Sequence, residues 1–298
     1  MGLSDFSLLP HYPTMDPKRQ HTTVATLLNC LLPLLLTTVT ALPAAAGEFS
    51  SPVFVSFFDV GSGDATLIDQ PGRCAVLVDA GPPGSGIRIG RHLRDKRIDR
   101  LDRLIVSHPH FDHFGGILTL PATLAIDMVN DNGVDNPDER FFPAYRHWRQ
   151  QQHYRPLASG GQWQCGDILF TVLAVDPDKS RLEEINDSSI VLLAEVGPVR
   201  LLLPGDLEFD GRRELATRPD RIKATIVKIP HHAKSAGHLG PWLDAVSPAL
   251  SVISTGAATE SDPEALLVVQ QKSGTVWRTD LQGDLELQID ARGWRHVR

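Results

Sequence analysis

The most informative segment of this sequence is Leu104-Ile105-Val106-Ser107-His108-Pro109-His110-Phe111-Asp112-His113. It joins an apolar run, typical of a buried strand, to four side chains that can bind metal ions: His108, His110, Asp112 and His113. Because alternate residues of an extended loop point the same way, His108 and His110 can share one metal, while Asp112 and His113 are turned toward a second. The segment therefore predicts a two-metal site at the carboxyl end of a strand, where α/β folds place their sites.

Two later segments complete this ligand set. Asp206 follows the apolar run 201–203, so its carboxylate emerges from a strand end where it could bridge two cations. His231 and His232 follow another predicted strand over 224–229; one imidazole can bind metal while the other donates a proton. We choose His232 as the ligand and His231 as the proton donor, although the sequence leaves the exchange of these roles open. Imidazole and carboxylate ligands suit zinc best, with manganese or iron as alternatives.

Strand-like and helical segments alternate along the rest of the chain. Predicted strands cover 53–58, 65–68, 74–78, 104–106, 168–175, 189–196, 200–203, 222–229, 250–253, 276–279 and 285–289, and predicted helices cover 89–96, 210–217 and 263–272. Strands leading into helices in both halves predict an α/β fold with two stacked mixed sheets and helices outside.

Residues 127–166 interrupt this alternation. They begin with a stretch rich in Asp, Asn and Gly and continue as an aromatic segment, predicted to be helical from Phe141 to near Gly160. Long excursions of this kind are either surface elaborations or walls and lids of active sites. The sequence leaves both interpretations open.

The first 46 residues have the composition of a secretory signal peptide. Lys18-Arg19 precedes an apolar run over 24–39, and small residues follow it up to a predicted cleavage site near Ala46. A membrane anchor is the alternative, but the run is short and is broken by Pro33. We therefore expect residues 47–298 to form one hydrolase domain without a transmembrane segment, exported to the periplasm or the cell exterior.

Charge and cysteine content limit the possible partners. The formal net charge of −7 argues against extended binding along a nucleic-acid backbone, although a short charged substrate remains compatible with it. Two cysteines, Cys74 and Cys165, lie in the predicted mature chain, and their spacing is unlike that of zinc-binding cysteines. In an exported protein they could form one disulfide, but the sequence does not show whether they are close in space.

With these motifs the sequence resembles the metallo-β-lactamase superfamily, in the branch formed by the hydrolase domain of ComEC-type DNA-uptake proteins. The resemblance is carried by His108-x-His110-x-Asp112-His113, Leu203-Pro204-Gly205-Asp206 and Ile229-Pro230-His231-His232, with further matches at 58–65, 77–81, 186–189 and 277–280. It covers residues 52–290. It implies an αββα four-layer sandwich with two metals at one edge, between the sheets.

The resemblance also implies roles for residues around the metals. Asp79 would form structural hydrogen bonds under the site, and Asp64 would support a ligand. Asn186 stands where other branches often place another metal-binding histidine, which would leave one metal with an open coordination position. The usual Gly-Ser after the double histidine is replaced by Ala233-Lys234, so the substrate loop differs; Lys234 could stabilise negative charge on a substrate.

The expected function is metal-dependent hydrolysis by a hydroxide activated between two divalent metals. Asp112 and Asp206 would hold the reacting metals, and His231 would protonate the leaving group. The branch resemblance favours a phosphodiesterase or nuclease-like enzyme acting on a small-molecule or phosphodiester substrate. A lactam, lactone or thioester hydrolase is one alternative, and a non-catalytic exported accessory module of DNA uptake is the other.

Overall fold

The strands alternate with helices along the computed structural model, which describes residues 51–175, 185–256 and 261–297. The strands are β1 (Val53–Phe57), β2 (Thr66–Gln70), β3 (Cys74–Val78), β4 (Arg100–Leu101), β5 (Arg103–Ile105), β6 (Ala125–Ile126), β7 (Val129–Asn130), β8 (Gln162–Cys165), β9 (Ile168–Ala174), β10 (Val191–Val196), β11 (Val199–Leu203), β12 (Ile226–Lys228), β13 (Leu250–Ile253), β14 (Thr275–Arg278), β15 (Leu285–Asp290) and β16 (Gly293–His296). The helices are α1 (Ser85–Asp95), α2 (Phe111–Phe114), α3 (Phe142–Arg149), α4 (Phe209–Ala216), α5 (Pro219–Ile222), α6 (Leu239–Val246), α7 (Pro263–Lys272) and α8 (Thr279–Gln282).

Two seven-stranded mixed sheets form the centre of the fold. The first sheet has the order β16-β15-β1-β2-β3-β5-β7 and the second has the order β14-β13-β12-β11-β10-β9-β8. In each sheet an antiparallel half adjoins a parallel half, which runs through β3, β5 and β7 in the first sheet and through β11 to β14 in the second. The carboxyl ends of the parallel strands carry the loops described below.

Alternate residues of the central strands pack into different layers. In β3, Val76 packs between the two sheets, whereas Leu77 packs under α1 and α3. In β11, Leu201 lies between the sheets and Leu202 packs under α4, α6 and α7. A strand that is buried on both faces needs a continuous apolar run, as these strands have. The predicted αββα sandwich is thus confirmed.

Some element bounds differ from the prediction. The strand predicted over 222–229 is only three residues long, since Pro219 begins a helical turn that ends at Ile222. The helical segment predicted to reach Gly160 ends at Arg149, because the following backbone runs beside β7 and its amides bond there instead. The elements that were not predicted are β4, β6, β7, β8, β16, α2, α5, α6 and α8.

A disulfide joins the two sheets. Cys74 is the first residue of β3 and Cys165 is the last residue of β8, and their Cα atoms lie 5.4 Å apart. The pairing that the sequence left open is therefore present in the structure.

The N-terminal segment is outside this description. The predicted signal peptide, residues 1–46, does not belong to the described residues, which fall within one compact unit, Ala44–Arg298. None of the helices in the described part of the chain is long and apolar enough to cross a membrane.

Candidate metal centre

The histidine-rich loop follows β5 and leads directly into α2. Its backbone turns tightly, with the His110 N–H donating to His108 O and the His113 N–H donating to His110 O, both at 3.0 Å. The loop lies close against its neighbours: a Cβ on Gly116 would come within 1.8 Å of the Ala80 carbonyl oxygen. The glycine after the histidine motif is therefore required by packing.

Asp79 lies beneath this loop, as the family resemblance implied. Its Oδ1 accepts from the Ser107 N–H at 2.7 Å, and its Oδ2 accepts from the Ser107 hydroxyl at 2.8 Å. The same Oδ2 lies 2.9 Å from His113 Nδ1. Asp79 thus fixes the His113 ring so that its Nε2 faces the site.

The second sheet contributes Asp206 and His232. Asp206 follows β11, and its Oδ2 lies 3.2 Å from both His113 Nε2 and His232 Nε2. The Asp112 carboxylate completes the cluster, with Oδ2 3.6 Å from His232 Nε2. One ligand atom from each of Asp112, His113, Asp206 and His232 lies within 4.8 Å of the others.

The cluster fits a divalent cation. His232 Nδ1 donates to the Ser254 carbonyl oxygen at 2.8 Å, just as His113 Nδ1 is bound by Asp79. The Nε2 atoms of both rings are buried and have no hydrogen-bond partner in the described part of the chain. Two oriented imidazole nitrogens facing two carboxylates are the donors that zinc and similar metals bind.

The charges of the cluster reinforce this interpretation. Burial opposes protonation of His232, but the carboxylates of Asp206 and Asp64 outweigh it and raise its pKa to about 9. Burial is likewise outweighed at His113, where Asp206, Asp79 and Asp112 raise the pKa well above its ordinary range. The carboxylates thus concentrate negative charge that, without a metal, is balanced by protons.

His108 and His110, the other predicted ligand pair, lie beside this cluster and are not among its four residues. His108 Nε2 lies 4.0 Å from Asp206 Oδ2 and 2.9 Å from His110 Nδ1. Burial and the nearby imidazole of His113 lower the pKa of both residues. Neutral imidazoles are the form that binds metal. Since Asp206 Oδ2 lies near both His108 and His113, Asp206 is placed between the predicted pairs His108–His110 and Asp112–His113.

His231 faces a different group from His232. Residues 231 to 233 all have positive φ angles, of 49°, 54° and 59°, and this left-handed turn separates the two rings. His231 Nδ1 contacts the Glu208 carboxylate, which also accepts from Asn186 Nδ2 at 3.3 Å. The geometry supports His232 as the ligand and leaves His231 beside the cluster.

The other residues predicted to act near the metals, Asp64, Asn186 and Lys234, each have different surroundings. Asp64 pairs with Lys228, and its Oδ1 lies 3.7 Å from His232 Nδ1. Asn186 bonds to Glu208, as described above. The Lys234 side chain makes no hydrogen bond or ion pair with described residues.

The excursion over residues 127–166 borders the metal cluster. Asn136 Nδ2 donates to the Pro109 carbonyl oxygen at 3.2 Å, and Glu139 Oε2 lies 4.0 Å from His110 Nε2. Asp131 holds the excursion together by accepting from the hydroxyls of Tyr145 and Tyr154, at 3.0 and 2.6 Å. Of the two interpretations left open, this geometry favours a wall beside the site.

Sequence reasoning missed Lys228, Glu208 and Ser107. Lys228 carried a signal, since a lysine within the apolar run Ile226-Val227-Lys228-Ile229 needs a buried partner. Glu208 and Ser107 each lie within two residues of a predicted ligand, but that proximity does not reveal their contacts.

The fold and the imidazole–carboxylate cluster define a metal-binding α/β sandwich. The chain belongs to the metallo-β-lactamase superfamily, which its residues 58–257 match. It is 28% identical to ComE operon protein 3 of Bacillus subtilis (strain 168) over 82% of this chain and 34% of that protein. It is also 28% identical to Competence protein ComA of Neisseria gonorrhoeae, over 84% of this chain and 34% of that protein. The chain thus spans about a third of the length of these relatives.

A solved structure shows the same fold. The metallo-β-lactamase fold protein YhfI from Bacillus subtilis superposes with a TM-score of 0.52 and 15% identity, covering 79% of this chain and all of that one. This similarity concerns the fold alone.

Proposed function

We propose that this chain is an exported, metal-dependent hydrolase that cleaves phosphodiesters. The observation that carries the proposal is the pair of buried Nε2 atoms of His113 and His232, which make no hydrogen bond with described residues although both lie 3.2 Å from Asp206 Oδ2. A purely structural cluster would satisfy these atoms within the protein.

The ligand roles follow from the geometry. Asp112, His113 and His232 would hold one cation, His108 and His110 the other, and Asp206 would contact both. Two bound divalent cations, zinc in our proposal, supply Lewis acidity to a water molecule and to the oxygen that gains negative charge.

His231 would hold and deliver a proton. Its Nδ1 faces the Glu208 carboxylate, so that Nε2 is the atom left to meet a leaving group. Although burial of Glu208 raises its pKa, His231 and Arg212 outweigh that effect and lower it. Glu208 therefore stays charged and keeps the His231 ring in one orientation.

The substrate class is supported by similarity and by charge. One relative is named a competence protein, and competence is a process of DNA uptake, which favours phosphodiester chemistry. The net charge of −7 favours a short or small phosphodiester over a long nucleic-acid duplex. Export is supported by the Cys74–Cys165 disulfide, a bond that persists in oxidising compartments.

The test compares two chromogenic substrates. Metal-loaded protein should hydrolyse bis(p-nitrophenyl) phosphate, while Asp206→Ala should lose this activity and the surface control Asp210→Ala should retain it. Turnover of nitrocefin alone would instead indicate a lactam hydrolase. Fewer than two metals per chain after reconstitution, with no turnover of either substrate, would indicate a non-catalytic accessory module.

A further inference from the structure

Lys228 is a buried cation at the edge of the metal cluster. It is the last residue of β12, an interior strand of the second sheet, and only 2% of its surface is exposed. Taking an ammonium group out of water costs several kcal/mol unless strong acceptors replace the water. A lysine at this position therefore needs a specific set of partners.

Three acceptors surround the Lys228 ammonium. Its Nζ pairs with the Asp64 carboxylate, lies 3.2 Å from Asp206 Oδ1 and donates to the Gly205 carbonyl oxygen at 3.2 Å. An ammonium group has three N–H donors, so this set is complete. Two carboxylates in contact with one buried amine stabilise it as an ammonium ion.

This contact divides the two oxygens of Asp206. Oδ1 faces Lys228, while Oδ2 faces the Nε2 atoms of His113 and His232. The Asp206 backbone N–H lies 3.1 Å from Ser189 Oγ, which anchors the residue from behind. A carboxylate held in this way presents one oxygen to a cation, whereas a free carboxylate can turn and chelate one cation through both oxygens.

We infer that Lys228 is a positioning residue that reserves Oδ2 of Asp206 for the metals. The inference rests on the proposed metal centre. Without Lys228, the Asp206 carboxylate would be free to rotate and to chelate one cation through both oxygens. The other cation would then lose Asp206 as a ligand.

Simple charge balance predicts the opposite effect. Removing the Lys228 ammonium makes the cluster more negative, which by Coulomb attraction would tighten cation binding. If Lys228 positions Asp206, its removal weakens binding despite the added negative charge. The sign of the change in metal affinity therefore separates the two roles.

The experiment measures Zn²⁺ binding by competition with a chromogenic chelator in the full chain. Wild-type protein should bind two equivalents, and Lys228→Met should bind the second equivalent about 10- to 100-fold more weakly, the range found when a residue that orients a ligand is lost. The control Lys272→Met removes an exposed lysine paired with Asp244 and should bind as wild type does.

A double variant covers the case in which Lys228→Met does not fold. Asp64→Asn with Lys228→Met removes one charge of each sign, so the net charge of the cluster is unchanged and no new unpaired charge is created. It should also bind the second equivalent 10- to 100-fold more weakly. In the Co²⁺-loaded form its visible absorption should fall in intensity, because chelation raises the coordination number.

The outcomes separate the two proposals. Wild-type affinity, or tighter binding, in either folded variant would overturn the role of Lys228 while leaving the metal centre intact. Wild-type protein that binds no Zn²⁺ would instead overturn the proposed metal centre itself.

Discussion

The two ends of strand β3 are built in opposite ways. At its start, Cys74 is covalently bonded to Cys165, and the nearby Gln70 exchanges two hydrogen bonds of 2.8 Å with Asp167. Just beyond its end, Asp79 begins a cluster of buried carboxylates and imidazoles in which His113 Nε2 makes no hydrogen bond with the described residues. The first end, which we call the disulfide end, thus joins the two sheets by bonds within the protein. The second, which we call the metal end, leaves ligand atoms that can bind a metal ion. We expect stability to depend mainly on the first end and function on the second.

Removing the disulfide should have the largest effect. Cys74→Ser combined with Cys165→Ser should lower the free energy of unfolding by about 4 kcal/mol, because the bond closes a loop of 91 residues and restrains the unfolded chain. Urea denaturation followed by circular dichroism measures this change. Below the unfolding transition, metal content and turnover should match wild type. A loss of metal in the folded double variant would show that the two ends are coupled.

The metal end should instead respond to pH. The pKa of His232 in the metal-free protein is about 9 and that of His113 is raised well above its ordinary range, so bound metal must displace protons. Metal affinity should therefore fall at least tenfold for each pH unit below about 9. Titration calorimetry in two buffers of different ionisation enthalpy counts the protons released; release of none near pH 7 would contradict this expectation.

The same protons should stabilise the metal-free fold. Because the folded-state pKa of His232 lies above its unfolded value of 6.5, its contribution is fully present below pH 6.5 and is lost as the pH rises toward 9. Thermal denaturation of the chelator-treated protein should show decreasing stability across that window. The metal-loaded protein should lack this decrease, since its imidazoles are already deprotonated.

At the metal end, Glu208→Gln should impair proton transfer without changing metal binding. We expect kcat to fall about tenfold, since the substitution replaces the negatively charged carboxylate beside His231 with a neutral amide. Two metals per chain should remain, because Glu208 contacts His231 and Asn186, which are not ligands in our proposal. Steady-state kinetics and metal analysis test both points. Glu214→Gln, an exposed change in α4, is the matched control; reduced metal content in Glu208→Gln would refute the separation.

The smallest effect is expected at Ala233, in the strained turn of the metal end. Its φ of 59° favours glycine, but its buried methyl group also packs in the core. Ala233→Gly should relieve strain of about 1–2 kcal/mol and lose about 0.8 kcal/mol of burial, a net gain of less than about 1 kcal/mol. Ala245→Gly in α6 should destabilise by about 1 kcal/mol. Urea midpoints shifted in the same direction by both changes would argue against strain at residue 233.

The two ends also differ in how well the sequence predicted them. The ligand motif over 108–113 and the carboxylate at Asp206 were predicted because each follows an apolar strand, and strand periodicity is a local property. Most strand positions were predicted for the same reason, and so were two stacked mixed sheets with helices outside; the four-layer class was implied by the family resemblance. The errors at 222–229 and near Gly160 occurred where a proline turn and nonlocal backbone pairing overrode the local pattern.

Tertiary structure alone decided which partners meet. The pairing of Cys74 with Cys165, the contact of His231 with Glu208, and the placement of Lys228 between Asp64 and Asp206 all join residues from different elements. No spacing rule encodes such contacts, since they depend on how the two sheets pack. The residue types and strand-end positions of the metal centre can thus be read along the chain, whereas the ring and carboxylate oxygen that face the metals depend on buried partners that only folding brings together.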